Sequence, residues 1–224
     1  MKKLTMIFTA LFFTLVFIPQ SYAADMTSDL QTIQEEWARI KYQVQGKDAK
    51  IAAITKLEPR AAQEVTKYPG KAEPLIWQAI VLATDANITK SLSGLPKVEK
   101  AKKLLEDSLK IDPSAMDGSA HMTLGSLYYQ VPGWPVGFGD DDLAEKHLKA
   151  ALQINPDGMD TNYWYGAFLL EDGRYDDAAK YLQKALAAPD RANRRVADAG
   201  RRNEIKDALA KAVASQKTKN RGNE

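Results

Sequence analysis

Apolar residues recur along this chain three and four positions apart, stretch after stretch, with polar residues between them. That is the period of an amphipathic α-helix. Residues 25–45 are expected as a first helix, with Leu30, Ile33, Trp37, Ile40 and Val44 on one stripe. Thr27 and Ser28 can cap it, and Gly46 ends it. Residues 48–67 form a second pattern, with Ile51, Ile54, Leu57, Ala61 and Val65 on one side. Pro59 lies inside that pattern, so a kink or a late start is expected. Residues 73–86 and 98–110 make the next pair. Residues 118–190 hold two more pairs, and 196–214 read as a last helix with Ala197, Ile205, Leu209 and Val213 inward. Residues 217–224 are polar and expected to fray.

The last pairs repeat one another. Gly125 recurs as Gly166, 41 residues on, while Ala144 recurs as Ala178 and Ala151-Leu152 as Ala185-Leu186, each 34 on. Ala101 to Ala144 and Pro113 to Pro156 are both 43 apart. Two helices approach closely only where small side chains meet, so Gly166 and Ala178 are expected to face each other. Pro156 stops one pair, and Asp172-Gly173 marks the turn inside the next. A period near 34 with small residues at these places is the mark of tetratricopeptide (TPR) repeats. Over residues 118–190 the chain resembles that family.

The expected fold is therefore all-α: a TPR-like α-solenoid of antiparallel helix pairs. Residues 24–70 would be a degenerate N-terminal pair, 71–190 three TPR-like repeats, and 191–216 a capping helix over the exposed end. Two units carry long turns, at 87–96 and 130–142, on one edge of the solenoid. The second turn has two prolines, three glycines, Trp134 and Phe138 within residues 131–139. A loop so stiffened is expected to fold back and bury both aromatics, as a lid or as the wall of a cleft.

The first 23 residues read as a secretory signal peptide rather than as fold. Lys2 and Lys3 precede an almost wholly apolar run from Met6 to Pro19, and Ser21-Tyr22-Ala23 offers a cleavage site before Ala24. The apolar run is short for a membrane span. Loss of the two lysines brings the basic residues down to the 29 acidic ones, so bulk charge does not point to nucleic acid. The chain has no cysteine, which excludes disulfides and an N-terminal lipid anchor. The expected location is a bacterial periplasm, with no stable membrane anchor after cleavage.

No catalytic constellation emerges, and the chain reads as a non-enzyme. His121 and His147 are the only histidines, on polar helix stretches. There is no phosphate loop, no zinc spacing and no other cofactor motif. Asp140-Asp141-Asp142 sits where a helix start favours carboxylates, so the expectation is a cap and not a metal site.

One longer run sharpens the family match. PGWPVGFGDDDLAEKHLKAALQINP, then NYWYGAFL, then ADAGRR at 197–202, resembles the TRAP-transporter-associated TPR component called TatT. The resemblance covers most of the mature chain. It implies a periplasmic helical protein that assists a substrate-binding protein of a TRAP transporter. The founding pattern of that family is a lipoprotein, and this chain lacks the lipidated cysteine.

TPR geometry places the first helix of each pair on the concave face. Counting from the small residues, the inward positions are Glu73, Ile76, Ile80 and Ala83, then Ser119, Met122, Ser126 and Tyr129, then Asp160, Tyr163, Ala167 and Leu170. The set is mostly apolar and aromatic. Candidate binding residues are therefore Ile76, Ile80, Met122, Tyr129, Tyr163 and Leu170 in the groove, with Trp134 and Phe138 on the loop. Such a surface suits an apolar partner helix or a small apolar ligand. Three functions follow: an adaptor, a carrier of an apolar ligand, or a scaffold for envelope assembly.

Overall fold

The computed structural model describes residues 20–221. Among them the chain forms nine α-helices and no strand. They are α1 (Gln20–Tyr42), α2 (Lys47–Lys67), α3 (Ala72–Thr89), α4 (Leu95–Ile111) and α5 (Ala115–Gln130). Then come α6 (Asp141–Ile154), α7 (Met159–Glu171), α8 (Tyr175–Ala187) and α9 (Arg195–Arg221). Consecutive helices fold back on each other as the pairs α1/α2, α3/α4, α5/α6 and α7/α8. The architecture is an all-α, TPR-like solenoid. Among the described residues no helix is long and apolar enough to cross a membrane.

The small residues do the packing that the repeat spacing predicts, with one change of partner. A Cβ on Gly125 would lie 2.5 Å from Leu148 Cγ, and one on Gly166 would lie 2.8 Å from Leu182 Cγ. Gly166 therefore faces Leu182 first, not Ala178. Ala178 is itself fully buried, as are Ala144 and Ala101 at the matching places. Burying a leucine such as Leu182 contributes roughly 1.5–3 kcal/mol. That gain depends on glycine leaving room opposite it.

Several boundaries differ from the expected ones. α1 begins at Gln20, so the expected cleavage bond after Ala23 falls in its first turn. The charged start and apolar run of the signal segment lie outside the described residues. α2 continues through Pro59. The long turn expected at 87–96 is mostly helical, because α3 runs to Thr89 and a short 3-10 turn at Leu92–Gly94 leads into α4. α5 is regular only after Gly118, since Met116, Asp117 and Gly118 take left-handed φ values of 52°, 58° and 79°. The tail from 217 is helical through Arg221 rather than frayed.

The largest departure is the path of α9. It packs along α8, as a capping helix does, but also reaches α7 and α1. Ile205 and Ala212 join the core of the repeats, while Ala197 joins a second core built by Leu30, Trp37 and Ile40 of α1, Ile54 of α2 and Trp77 of α3. α9 thus links the last pair to the first helix, across the concave side.

Candidate binding site: a concave cavity and an exposed loop edge

On the inner side of the first helices α1 lies against α3 and α9 against α7, and α5 faces the half-open space between them. The result is a cavity of about 870 Å³. Ile80, Met122, Tyr129, Tyr163 and Leu170 line it as the repeat register predicts, as do Ala83, Ser119, Asp160 and Ala167. Ile76 does not: it is fully buried in the helix-pair core. Glu73 and Ser126 are also absent from the lining.

The walls carry far more aromatic surface and charge than the apolar groove expected from sequence. Trp37, Trp77 and Trp164 join Tyr129 and Tyr163 around the space. Trp164 meets Tyr163 edge-on at 5.1 Å and Tyr129 at 6.5 Å between ring centroids. Trp37 meets Trp77 at 5.8 Å and donates from Nε1 to Thr84 Oγ1 at 2.8 Å.

Arg201, on α9, is only 5% exposed. A buried guanidinium is costly unless paired, and this one is well matched. Its Nε donates to Asp160 Oδ1 at 2.6 Å and its Nη1 to Glu204 Oε2 at 2.5 Å. Its plane lies 4.3 Å from the Tyr163 ring and 5.1 Å from Trp164. Arg191 donates to the other Asp160 oxygen at 2.5 Å and to Asp198. Lys41 of α1 reaches Glu204 Oε1 at 3.0 Å.

Burial would raise the Asp160 carboxyl, but Arg201 and Arg191 outweigh it and hold the group well below the usual carboxylate range. Glu204 is held down against its burial by Arg201 and Lys41. Burial, with Arg201 close by, brings the Lys41 ammonium down to about 8. Asp160 and Glu204 are therefore ionised at neutral pH, and the cluster is a network of charges.

The loop after α5 behaves differently from its prediction. Trp134 is 90% exposed instead of buried, and neither it nor Phe138 lines the cavity. Phe138 alone folds back. It packs edge-on to Tyr128 at 5.6 Å, with Lys102 Nζ 5.8 Å from its ring. The loop is pinned by Gly139 N donating to Pro132 O at 3.0 Å and Asp140 N to Tyr128 O at 2.9 Å. Gly139 is required there, because a Cβ would run into the Val131 carbonyl. Asp140 caps α6 through Leu143 N at 2.9 Å, the role its position predicts.

The loop edge is apolar where it meets solvent. Trp134 and Val136 stand out from this loop, and Leu92 from the turn before α4. Both segments lie on one edge, since Asn87 Nδ2 at the end of α3 donates to Gln130 Oε1 at the end of α5 at 3.5 Å.

His121 and His147 lie outside the cavity but are not independent. Their Nδ1 atoms are 2.9 Å apart, joining α5 to α6, and His147 stacks on Tyr128. Burial, then the neighbouring His121, pulls His147 down to about 4. One neutral ring donates and the other accepts.

The tetratricopeptide repeat family model matches residues 137–201, from the end of the exposed loop into α9. No curated protein matches the chain. The family match and the stacked helix pairs support a TPR-repeat protein. Repeats of this kind generally mediate protein–protein interaction, and proteins built on them are generally non-enzymatic scaffolds. An interaction or adaptor role is the class of function that follows.

Proposed function

We propose that this protein is an exported, periplasmic, non-catalytic adaptor whose partner is a substrate-binding protein of a TRAP-type solute transport system. The observation that carries the adaptor reading is Trp134, 90% exposed on a loop pinned by backbone hydrogen bonds and by Phe138. Val136 on the same loop, and Leu92 on the turn before α4, are further exposed apolar side chains. An indole held in water on a rigid loop is a poor use of apolar surface in a free monomer. It is the kind of anchor that dominates binding energy at protein interfaces.

The partly occupied concave side favours the edge over the groove as the contact surface. In an open solenoid a partner helix lies along the first helices. Here α1 and α9 occupy the two ends of that place, beside α3 and α7. The transport context rests on the resemblance of residues 132–156 and of the segments after them to the TatT component. Export rests on the leader pattern of residues 1–23.

The test is affinity capture from periplasmic extract, with the wild type beside a Trp134→Ala, Val136→Ser double variant. The wild type should retain a TRAP substrate-binding protein, whose gene is expected near this one, and the variant should lose it. Equal capture by a folded variant would remove the loop edge from the interface.

A further inference from the structure

The chain has only two histidines, and the fold brings both to one place. His121 comes from α5 and His147 from α6, and their Nδ1 atoms stand 2.9 Å apart. Both residues are half-buried, so the pair is open to solvent. Its surroundings hold it still. Gly125, one turn after His121, lies directly against Leu148, the residue after His147, and this contact fixes the spacing of the two backbones. His147 stacks on Tyr128, with ring centroids 5.6 Å apart and planes within 14°. Tyr128 is itself buried and packs edge-on against Phe138. On the α4 side, Lys102 lies 5.9 Å from the Tyr128 ring and pairs with Glu106 at 2.5 Å, so its charge is balanced.

Two imidazoles so placed have two uses. They share a proton, as one neutral donor and one acceptor, or both turn a lone pair to one cation. Imidazole nitrogen sits about 2.0–2.1 Å from zinc and from first-row divalent ions of similar size. At that length two nitrogens are about 2.9 Å apart across a right angle and about 3.3 Å apart across a tetrahedral one. The separation of the two Nδ1 atoms is therefore the right-angle edge of a square-planar or tetragonal ion, copper(II) or nickel(II), and not the edge of zinc's tetrahedron. Of these ions copper(II) binds a nitrogen site most tightly. The ring centroids are 5.1 Å apart, so the rings now lie nearly end to end. Each must pivot about its Cβ–Cγ bond to bring both lone pairs to one point, and the backbones need not move. Among the described residues no group of three or more His, Cys, Asp or Glu surrounds one ion, so water takes the remaining positions.

We propose that His121 and His147 form a copper(II) site, each binding through Nδ1 at adjacent corners of a tetragonal ion whose other ligands are water. In the free pair one ring carries its proton on Nδ1 and the other on Nε2. In the bound pair both carry it on Nε2, so the ion releases no net proton from the two rings. The ion then replaces the shared proton as the link between α5 and α6. No metal-binding spacing is visible in the sequence, because the two ligands are 26 residues apart and meet only through the pairing of these helices. The inference goes beyond the adaptor reading, since neither histidine belongs to the Trp134 edge.

The test is copper(II) titration of the mature full-length protein, purified without a polyhistidine tag and followed by electron paramagnetic resonance with spin-echo detection. The wild type should take up one ion in a tetragonal site, and the echo modulation should show two imidazoles on it. With only two histidines in the chain, that signal in dilute monomer identifies the pair without any variant. His121→Gln and His147→Gln, each first shown to be helical, should bind at least about tenfold more weakly, a loss of about 1.4 kcal/mol. Copper should also raise the melting temperature of the wild type more than that of either variant. Wild-type uptake no tighter than that of the double variant would overturn the site. A single imidazole on the wild-type ion would overturn chelation by the pair. Zinc held as tightly as copper would overturn the tetragonal geometry.

Discussion

Gly200 on α9 lies against the ring of Tyr42 on α1, so closely that a Cβ would run into it. Tyr42 OH then donates to Glu204 Oε2 at 3.1 Å, one turn further along α9. First and last helices are thereby locked across the concave side. Replacing Gly200 with leucine should force α9 away from α1, costing roughly 1–3 kcal/mol of stability. It should also open the cavity. Acrylamide quenching of tryptophan fluorescence, measured in a Trp134→Phe background because Trp134 is exposed, should rise. Unchanged melting and quenching together would contradict the closure.

The repeat register makes a separate demand. Ala178 is fully buried where α8 meets α7, beside the Gly166–Leu182 contact. Ala178→Leu should overpack that interface and cost roughly 1–3 kcal/mol in thermal or urea melts. A neutral result would mean that residue 178 does not occupy the small-residue position.

Acid should loosen the molecule through the histidine pair. His147 has a folded value of about 4 against an ordinary 6.5. Between those values the unfolded chain binds a proton that the folded chain does not, so stability falls as pH drops through this window. The loss is at most ~3 kcal/mol for a shift of this size. Glu145, held down to about 2 chiefly by Arg174, adds a further loss only as pH falls from 4.5 toward 2. Urea unfolding of His147→Gln should therefore show a shallower fall between pH 7 and 5 than the wild type. Parallel curves would place the acid sensitivity elsewhere.

The helix pairs are legible in sequence because burial repeats with helical period and because glycine or alanine must sit where helices touch. Ile80, Met122, Tyr129, Tyr163 and Leu170 are legible for the same reason: once the register is known, so is the inner face. Trp134 and Phe138 are not separable by hydropathy. Only the backbone of the loop decides that one packs on Tyr128 and the other faces solvent. The charged wall is hidden by distance along the chain. Asp160 and Arg201 meet 41 residues apart, and Arg194 and Gln34 160 apart, only because α9 turns back over α1. The arginines at 191, 194 and 195 read as a polar connector until that crossing is seen. The histidine pair needs the pairing of α5 with α6, which brings residues 26 apart into contact.

Export has a direct readout. The leader pattern predicts a mature N-terminus at Ala24, one turn into α1. Intact-mass measurement of protein from the native periplasm should give the mass of residues 24–224. A protein still beginning at Met1 would contradict the cleavage.

On the reading proposed above, the apolar loop edge is where a protein partner docks. A photoreactive amino acid placed at position 134 in living cells tests it most directly, with the same probe at position 103, an exposed lysine on α4, as the control. The expected result is one dominant protein adduct at 134, a TRAP substrate-binding protein, and none at 103. No adduct at 134, or the same adducts at both positions, would contradict it.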